Sequence, residues 1–435
     1  MSGSLRRSVV LCASLSFAWA GSPASAVIGA VDAVPAATLL LPYFEVDLDP
    51  ANLNGINTLL SINNASATAI LAHLVVSSDL SVHTLDFNIY LTGYDVQTIS
   101  LRELFVNGLA PRTASDGQDP QDTISPQGPL SQDINFASCT GVLPPPQMPA
   151  ALQTHVRRAL TGQSSDWEQG VPRCYGRFLD DNIARGYITI DTVNNCTLRF
   201  PGQAGYFVAG GAGDATNQNV LWGDYFYVNS AQNFAQGDTL VHIEADALNP
   251  ETSVAGEYTF YGRHVAWSAA DNREPLATNF AARYINGGIF NGGTDFIVWR
   301  DAKLNQVPFL CNTLPVWYPL GQEGIVIFNE QEDVEFPQTF PFSPPPVDEG
   351  LLPFPAEAQR TPVDGSSLPT PFDFGWMYLN LNTTVVPAGA NPPEDPAAAQ
   401  AWVTVVMDAE GRFSVGYPAV LLDSALNALH FFPHQ

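Results

Sequence analysis

The chain has 435 residues, with 43 Asp or Glu against 17 Lys or Arg, and its formal net charge is −26. This charge argues against nucleic-acid binding, because Lys and Arg neutralise phosphate backbones and no basic block is present. The chain is 46% hydrophobic, which argues against intrinsic disorder. Beyond the N-terminus, no run of about 20 apolar residues predicts a transmembrane segment.

Residues 1–26 have the pattern of a secretory signal peptide. Arg6 and Arg7 precede a short apolar stretch, and Ala24-Ser25-Ala26 supplies the small residues at which signal peptidase cleaves. An anchoring helix is the alternative, but the apolar stretch is too short to span a bilayer. We therefore predict cleavage after Ala26 and export to the periplasm, the cell surface or the extracellular medium.

The strand-length runs of the remaining chain are bounded by Gly, Asn, Asp and Ser, as is typical of a β-sandwich. In chain order, they are 37–46, 57–62, 69–77, 85–91, 96–101, 186–193, 220–228, 239–245, 257–262, 295–299, 324–328, 375–381 and 402–407. Alternating apolar and polar residues in 87–92 predict a strand with one buried face. Residues 407–413 predict a hairpin turn, and residues 107–149 predict a long surface loop.

Two segments have the spacing or the start signals of helices. In 149–160, Leu152, Val156 and Leu160 recur every four residues. Residues 275–284 begin with proline after an acidic residue, as helices often do. Residues 336–371 are rich in proline and are predicted not to form a hydrogen-bonded strand. They form either an extended linker or a strap across the body, and we favour the strap because further strands follow and phenylalanines lie among the prolines.

These elements predict a mainly β protein with an immunoglobulin-like β-sandwich, or two packed sandwiches, and few short helices. The length fits two or three domains or one large all-β unit. A weak boundary lies near 200–216, where Gly and Pro interrupt the strand pattern. We predict an N-terminal sandwich at 27–200 and a second β-rich domain at 201–435.

Four of the five cysteines lie after the predicted cleavage site, and an even number in an exported protein predicts two disulfide bonds. They are Cys139, Cys174, Cys196 and Cys311. Three pairings are open. We favour Cys174 with Cys196, which closes the shortest loop and leaves Cys139 to pair with Cys311.

Four segments resemble parts of secreted bacterial proteins of unassigned function. They are Leu41–Asp47, Leu91–Thr98, Val220–Tyr225 and Gly293–Arg300. Because these segments are spread over most of the mature chain, the resemblance is full-length. It implies export and a β-rich body, and it implies no activity and no site residues.

One cluster combines imidazole with carboxylates. His242, Glu244 and Asp246 are two residues apart, so they would share one face of a strand. Such a face could bind a transition metal or perform acid–base chemistry. A strand that faces the solvent gives the same pattern, and both interpretations stay open.

A second cluster carries oxygen ligands that suit Ca²⁺. Asp47, Asp49, Asn52 and Asn54 precede Gly55 at short spacing. The spacing is not that of an EF-hand, and a turn rich in Asp and Asn accounts for the same residues. Ca²⁺ is the cofactor that this cluster suggests.

Signatures of catalysis are missing, since no nucleophile elbow, zinc-protease helix or nucleotide-binding loop is present. Weaker candidates remain. A hydrolytic group without a recognisable nucleophile could be formed by Asp79, His83 and Asp86. Glycosides could be cleaved by a pair of carboxylates, either Asp295 with Asp301 or Glu323 with Glu330. Four tryptophans could stack on sugars or pack in the core, namely Trp222, Trp267, Trp299 and Trp317.

The sequence therefore predicts a secreted or cell-surface protein with a structural, adhesive or ligand-binding role, assisted by Ca²⁺. A glycan, or another copy of the chain, is the partner that the composition leaves open. The alternative is a secreted carbohydrate-active enzyme that uses paired carboxylates. The missing catalytic signatures favour binding over catalysis.

Overall fold

Four antiparallel β-sheets make up most of the protein, which confirms the predicted fold class. The structure is a computed structural model. It describes residues 34–113, 137–139, 141–167, 170–245, 259–266, 268, 270–302, 304, 306–322, 324–335, 352–364, 368, 370–382 and 400–423. The predicted signal peptide, residue 246 and most of the predicted strap therefore lie outside the described residues.

The described residues form eighteen strands and two short α-helices. The strands are β1 Thr38–Asp47, β2 Asn57–Asn64, β3 Ile70–Ser78, β4 His83–Leu91, β5 Val96–Ser100, β6 Ile183–Val193, β7 Leu221–Asn229, β8 Phe234–Thr239, β9 Val241–Ile243, β10 Asn279–Ile285, β11 Gly293–Arg300, β12 Gly324–Phe328, β13 Val334–Glu335, β14 Ala358–Pro362, β15 Phe374–Asn380, β16 Ala401–Ala409, β17 Phe413–Pro418 and β18 Val420–Asp423. The helices are α1 Leu101–Phe105 and α2 Ala150–Leu160.

The strands are arranged in two groups of two sheets. Sheet A has the order β4-β3-β6-β1-β9 and sheet B the order β5-β2-β7-β8. Sheet C has the order β14-β11-β16-β17 and sheet D the order β13-β12-β15-β10-β18. Strand β1 contacts β2 and β7 of sheet B as well as β11 and β14 of sheet C, so sheet A joins the two groups.

Sheet C contributes side chains to two hydrophobic cores. On β11, Ile297 and Trp299 pack in the core of sheets A and B, whereas Phe296 and Val298 pack in the core of sheets C and D. Successive side chains of a strand point to opposite faces. The unbroken apolar run of this strand therefore reflects burial on both faces of the sheet.

Strands up to β9, which ends at Ile243, belong to sheets A and B, whereas strands from β10 onward, which begins at Asn279, belong to sheets C and D. Strands β7, β8 and β9 all follow residue 200, yet β7 pairs with β2 and β9 pairs with β1. The sheets of the N-terminal group therefore extend well beyond the predicted boundary at 200. The division into two domains stays a prediction.

One of the two predicted helices is confirmed. Helix α2 covers Ala150–Leu160, and it buries Val156 and Leu160 as the fourfold spacing predicts. The prediction of a helix at 275–284 is wrong, because this segment contributes strand β10. Phe280, Ala282 and Tyr284 are fully buried, so the segment has the twofold alternation of a strand.

The prediction that no hydrogen-bonded strand forms within 336–371 is also wrong. Strand β14, Ala358–Pro362, pairs with β11 at the edge of sheet C. Proline is excluded mainly from central strands, where it removes a ladder hydrogen bond. Here the only proline of the strand is its last residue, and the strand needs only one hydrogen-bonded neighbour.

Two disulfide bonds are present, as predicted, but the favoured pairing is wrong. Cys139 is bonded to Cys196, and Cys174 is bonded to Cys311. Loop length alone does not decide pairing, because the fold brings distant segments together. Cys174 and Phe309 exchange backbone hydrogen bonds of 2.8 and 3.0 Å, which places the neighbouring Cys311 within reach of Cys174.

Among the helices of the described residues, none has the length and apolarity that a membrane crossing requires.

Candidate functional site

A cavity lies where sheet A meets the end of strand β11 of sheet C. We call it the inter-sheet cavity. Its floor includes Val75 and Ser77 of β3 and Thr189 and Tyr187 of β6. Val75 is paired with Thr189, and Ser77 with Tyr187. Residues opposite each other on neighbouring strands project from the same face, so the sheet register places all four at the cavity.

Aromatic side chains form much of the cavity wall. Trp299, from β11, lies beside Phe260 and Tyr187, with ring centroids 5.5 and 5.9 Å away. At the mouth, the ring of His83 stacks on Phe200 at 3.7 Å with an interplanar angle of 2°. The cavity volume is about 150 Å³. An apolar protein cavity of about that size holds one benzene molecule, so the enclosed space suits a ligand of about that size.

A buried ion cluster lies at one side of the cavity. The guanidinium of Arg263 donates from Nη1 to Glu357 at 2.7 Å, and the same nitrogen lies 3.1 Å from Asp301. All three side chains are at most 5% exposed. Burial alone would lower the pKa of Arg263, but the two carboxylates outweigh burial and raise it.

The same cluster favours retention of a proton on an acid. Burial raises the pKa of Glu357, Arg263 opposes this effect, and the nearby Asp301 adds to it. One buried arginine faces two buried carboxylates, so binding of one proton makes the cluster neutral. This neutrality reduces the cost of burying charge.

Ser81 connects the cluster to sheet A. It lies in the turn between β3 and β4 with a φ of 65°, in the left-handed region that few residues other than glycine adopt. Its hydroxyl accepts a hydrogen bond of 2.7 Å from Nη2 of Arg263 and is also hydrogen-bonded to the hydroxyl of Tyr187. Strained backbone of this kind is frequent at functional sites.

A second buried network fixes another wall residue. The hydroxyl of Tyr261 donates to Asp191 at 3.0 Å, and the hydroxyl of Tyr206 donates to the same carboxylate at 2.7 Å. Arg273 lies 3.5 Å from Asp191 and 3.4 Å from Asp271. The orientation of the Tyr261 ring is therefore set by its hydrogen bond to Asp191.

Trp299 differs from these groups because its polar atom is not satisfied. Its side chain lines the cavity and the residue is 2% exposed. Among the described residues, Nε1 of Trp299 has no hydrogen-bond partner. A buried donor without a partner costs roughly 1–3 kcal/mol.

The predicted histidine–carboxylate cluster lies away from this cavity. His242 is buried, its Nδ1 lies 2.7 Å from the carbonyl oxygen of Val34, and the amide of Gly223 lies 3.4 Å from its Nε2. Strand β9 ends at Ile243, so Glu244 follows the strand. Because Asp246 lies outside the described residues, the predicted three-residue site stays a prediction.

The predicted Ca²⁺ cluster forms a closed turn. The carboxylate of Asp47 accepts from the amide of Asp49 at 2.8 Å and from Nδ2 of Asn52 at 2.6 Å. Asn54 instead accepts from Ser230 at 3.3 Å. No group of three or more His, Cys, Asp or Glu is placed to hold a metal ion anywhere in the described ranges. Ca²⁺ binding stays a prediction.

The predicted hydrolytic group is divided between two places. Nε2 of His83 lies 2.8 Å from Asp86, whereas Asp79 is paired with Arg177 at 2.6 Å. Of this group, only His83 lines the cavity.

Of the predicted acid pairs, Asp295 and Asp301 each contact a different arginine, and the pair of Glu323 with Glu330 stays a prediction. Asp295 receives a hydrogen bond of 2.7 Å from Arg360, while Asp301 joins Arg263. Residue 323 lies outside the described residues. Glu357 and Arg263 were not predicted from the sequence, because the contact joins residues 94 positions apart and no motif marks either one.

Comparisons with protein-family models, with curated proteins and with solved structures found no match for this chain.

Proposed function

We propose that this chain is an exported β-sandwich protein that binds a small ligand in the inter-sheet cavity. One observation carries the proposal: the cavity has aromatic walls, and Arg263, Ser81 and Tyr261 at the cavity are held by hydrogen bonds to other side chains. A preformed, largely apolar site with a few placed polar groups is typical of small-molecule binding. Two disulfide bonds support the exported location.

The contacts of Asp301 and Glu357 with Arg263 favour ligand binding over glycoside cleavage. Asp301 and Glu357 both lie against Nη1 of Arg263, at 3.1 and 2.7 Å. A glycosidase needs one carboxyl on each side of the scissile bond, whereas here one arginine nitrogen occupies the space between the two. The carboxylates therefore serve to hold Arg263, and through it Ser81.

The test is a binding screen on the full-length chain purified after export. Ring-sized probes from several classes are added, including neutral sugars, uronic acids, alkylamines and benzyl alcohol. Binding is measured by saturation-transfer NMR and by the shift of the melting temperature. We expect at least one class to bind with a single site per chain.

A matched pair of variants locates the site. Val307 is 68% exposed at the cavity mouth, and Val316 is 79% exposed but does not line the cavity. Val307→Trp is expected to block binding, and Val316→Trp is expected to leave it unchanged. Absence of binding in every class, or binding that both variants retain, would refute the proposal.

A further inference from the structure

We infer that the chain forms a homodimer in which the outer faces of two copies of sheet D stack on each other. The outer face of sheet D is the face opposite to the one that packs on sheet C. The inference goes beyond the proposed function, because the groove on this face shares no residue with the inter-sheet cavity.

Strand register shows which side chains share the outer face of sheet D. A row across four of its strands consists of Val326, Tyr378, Ala281 and Val420. Residues opposite each other on neighbouring strands project from the same face. Met377, the neighbour of Tyr378 on β15, packs in the core of sheets C and D. The row therefore points away from that core, and it is apolar except for the tyrosine hydroxyl.

Sheet B provides the contrast within the same molecule. The corresponding row on its outer face consists of Thr98, Ser61, Asp224 and Thr239, while Tyr225 of β7 packs in the core of sheets A and B. An antiparallel sheet with one face in water has polar residues on that face. Sheet B follows this rule and sheet D does not. Strand β11 is apolar on both sides because both sides are buried, so the outer face of sheet D has the composition of a covered face.

The outer face of sheet D is nevertheless open. Val420 is 51% exposed, Phe374 is 47% exposed, and Arg283 is exposed as well. The ring of Trp376 stacks on Phe328 with centroids 4.0 Å apart. Protein interfaces are enriched in aromatic residues and arginine and depleted of acids, and none of the residues that line the groove on this face is acidic. Two copies of this acidic chain can therefore meet here without bringing carboxylates together.

The charges at the two sides of sheet D are complementary. Strand β15 is central in the order β13-β12-β15-β10-β18. On one side, β10 carries Arg283; on the other side, the turn between β12 and β13 carries the exposed Glu330 and Glu332. Most homodimers have two-fold symmetry, and a two-fold axis along β15 places β10 of one copy over β12 of the other.

The register makes this arrangement specific. Arg283 is paired with Trp376, and Trp376 with Phe328, so the three residues form one row. An axis along β15 keeps the row and exchanges its ends. The guanidinium of Arg283 then lies over the Phe328 ring of the second copy, which is a cation–π contact, and close to the acidic turn of that copy. A second copy of the chain therefore fits both the apolar character and the charges of this face.

The size of the face sets the expected strength. Strands lie about 4.8 Å apart and rise about 3.4 Å per residue, so five strands and the seven residues of β15 give a face of about 20 Å by 24 Å. Two stacked copies would bury roughly 1,000 Å² in total, which is the low end for specific interfaces, where complexes are weak and transient. We therefore expect a dissociation constant in the micromolar range.

The first experiment measures the mass of the full-length chain, purified after export, by sedimentation equilibrium. The concentration runs from about 1 to about 300 µM, in about 0.15 M salt, where charges farther apart than about 8 Å are screened. We expect a monomer that converts reversibly to a dimer as concentration rises. A monomer over the whole range, whether the face is bare or covered by another part of the same chain, would overturn the inference.

Matched variants locate the interface. Val420→Glu adds an acid to the outer face of sheet D, and Arg283→Glu reverses the only charge among the residues that line its groove. Each is expected to weaken the dimer at least tenfold. The control is Phe226→Glu on the outer face of sheet B, where Phe226 is 47% exposed, and it is expected to leave the dimer unchanged. All three sites are exposed, so the variants should fold. A dimer that survives both sheet D changes, or that the control weakens equally, would overturn the assignment.

Cross-linking tests the axis. Phe374→Cys places a thiol on the central strand β15, where the two copies meet, and stacked sheets lie about 10 Å apart. A short bis-maleimide is therefore expected to join two copies. Val420→Cys is the control, because the axis separates the two β18 strands by about 20 Å across the sheets. Equal cross-linking of the two variants would overturn the arrangement about β15.

Discussion

The disulfide bond between Cys174 and Cys311 links the two groups of sheets, so its removal is expected to affect stability and binding together. Cys174 lies between α2 and β6, and Cys311 lies between β11 and β12. The bond joins residues 137 apart in sequence. For a loop of this length, the chain-entropy relation predicts a loss of about 5 kcal/mol in the free energy of unfolding.

The other bond provides a matched control. Cys139 and Cys196 are 57 apart, and the same relation predicts a loss of about 4 kcal/mol. Both double Cys→Ser variants are expected to be destabilised. The Cys174/Cys311 variant is also expected to bind ligand more weakly, because Gln306 and Val307 at the cavity belong to the segment that this bond holds.

Guanidinium unfolding followed by tryptophan fluorescence measures the stability change, and peptide mapping without reductant verifies the pairing. A loss below about 1 kcal/mol in the Cys174/Cys311 variant would refute the entropic reasoning. A peptide that links Cys174 to Cys196 would refute the connectivity itself.

Three further changes test the buried groups and the close contacts. Burial lowers the pKa of His155 from 6.5 to about 4. The free energy of unfolding is therefore expected to fall, by at most about 3 kcal/mol, as pH drops from 6.5 towards 4. An acid-unfolding curve of His155→Asn as steep as that of the parent protein would contradict this. Burial raises the pKa of Glu357 above its usual 4.5, so the free energy of unfolding is expected to decline as pH rises above about 4.5. Unfolding titrations at pH 5 and pH 8 should show a smaller decline for Glu357→Gln than for the parent protein. An equal decline in both proteins would count against a proton on Glu357. A Cβ at Gly375 would clash with the carbonyl oxygen of Phe328, whereas one at Gly324 would meet nothing within 4 Å. Gly375→Ala is therefore expected to lower the free energy of unfolding by roughly 1–3 kcal/mol, and Gly324→Ala by much less. Equal melting temperatures of the two variants would show that the backbone of sheet D shifts to accommodate the methyl group.

Local pattern was sufficient for most of the strands and for helix α2. The run at 57–62 lies within β2, and the fourfold spacing of Val156 and Leu160 identifies the buried side of α2. Start signals were a poorer guide, since the proline at 275 suggested a helix where Phe280, Ala282 and Tyr284 alternate as a strand. Periodicity reports which side chains are buried, whereas a helix start signal also occurs in loops.

The candidate site shows the limit of sequence reasoning. Trp299 was among the aromatic residues considered for sugar stacking, and His83 was considered for a hydrolytic group. Neither prediction identified the cavity, because its other walls come from Tyr187, Phe260 and Arg263. Nothing in the sequence near Trp299 indicates that it faces sheet A.

The sequence by itself determined the acidic composition, the density of strands and the presence of two disulfide bonds, since each depends on residue counts or on neighbours along the chain. Only the tertiary structure decided the disulfide pairing, the changeover of the sheets after Ile243 and the meeting of Arg263 with Glu357. The physical reason is that a sheet face and an inter-sheet cavity are built from strands far apart in sequence. Strand register and sheet packing decide which of their side chains meet.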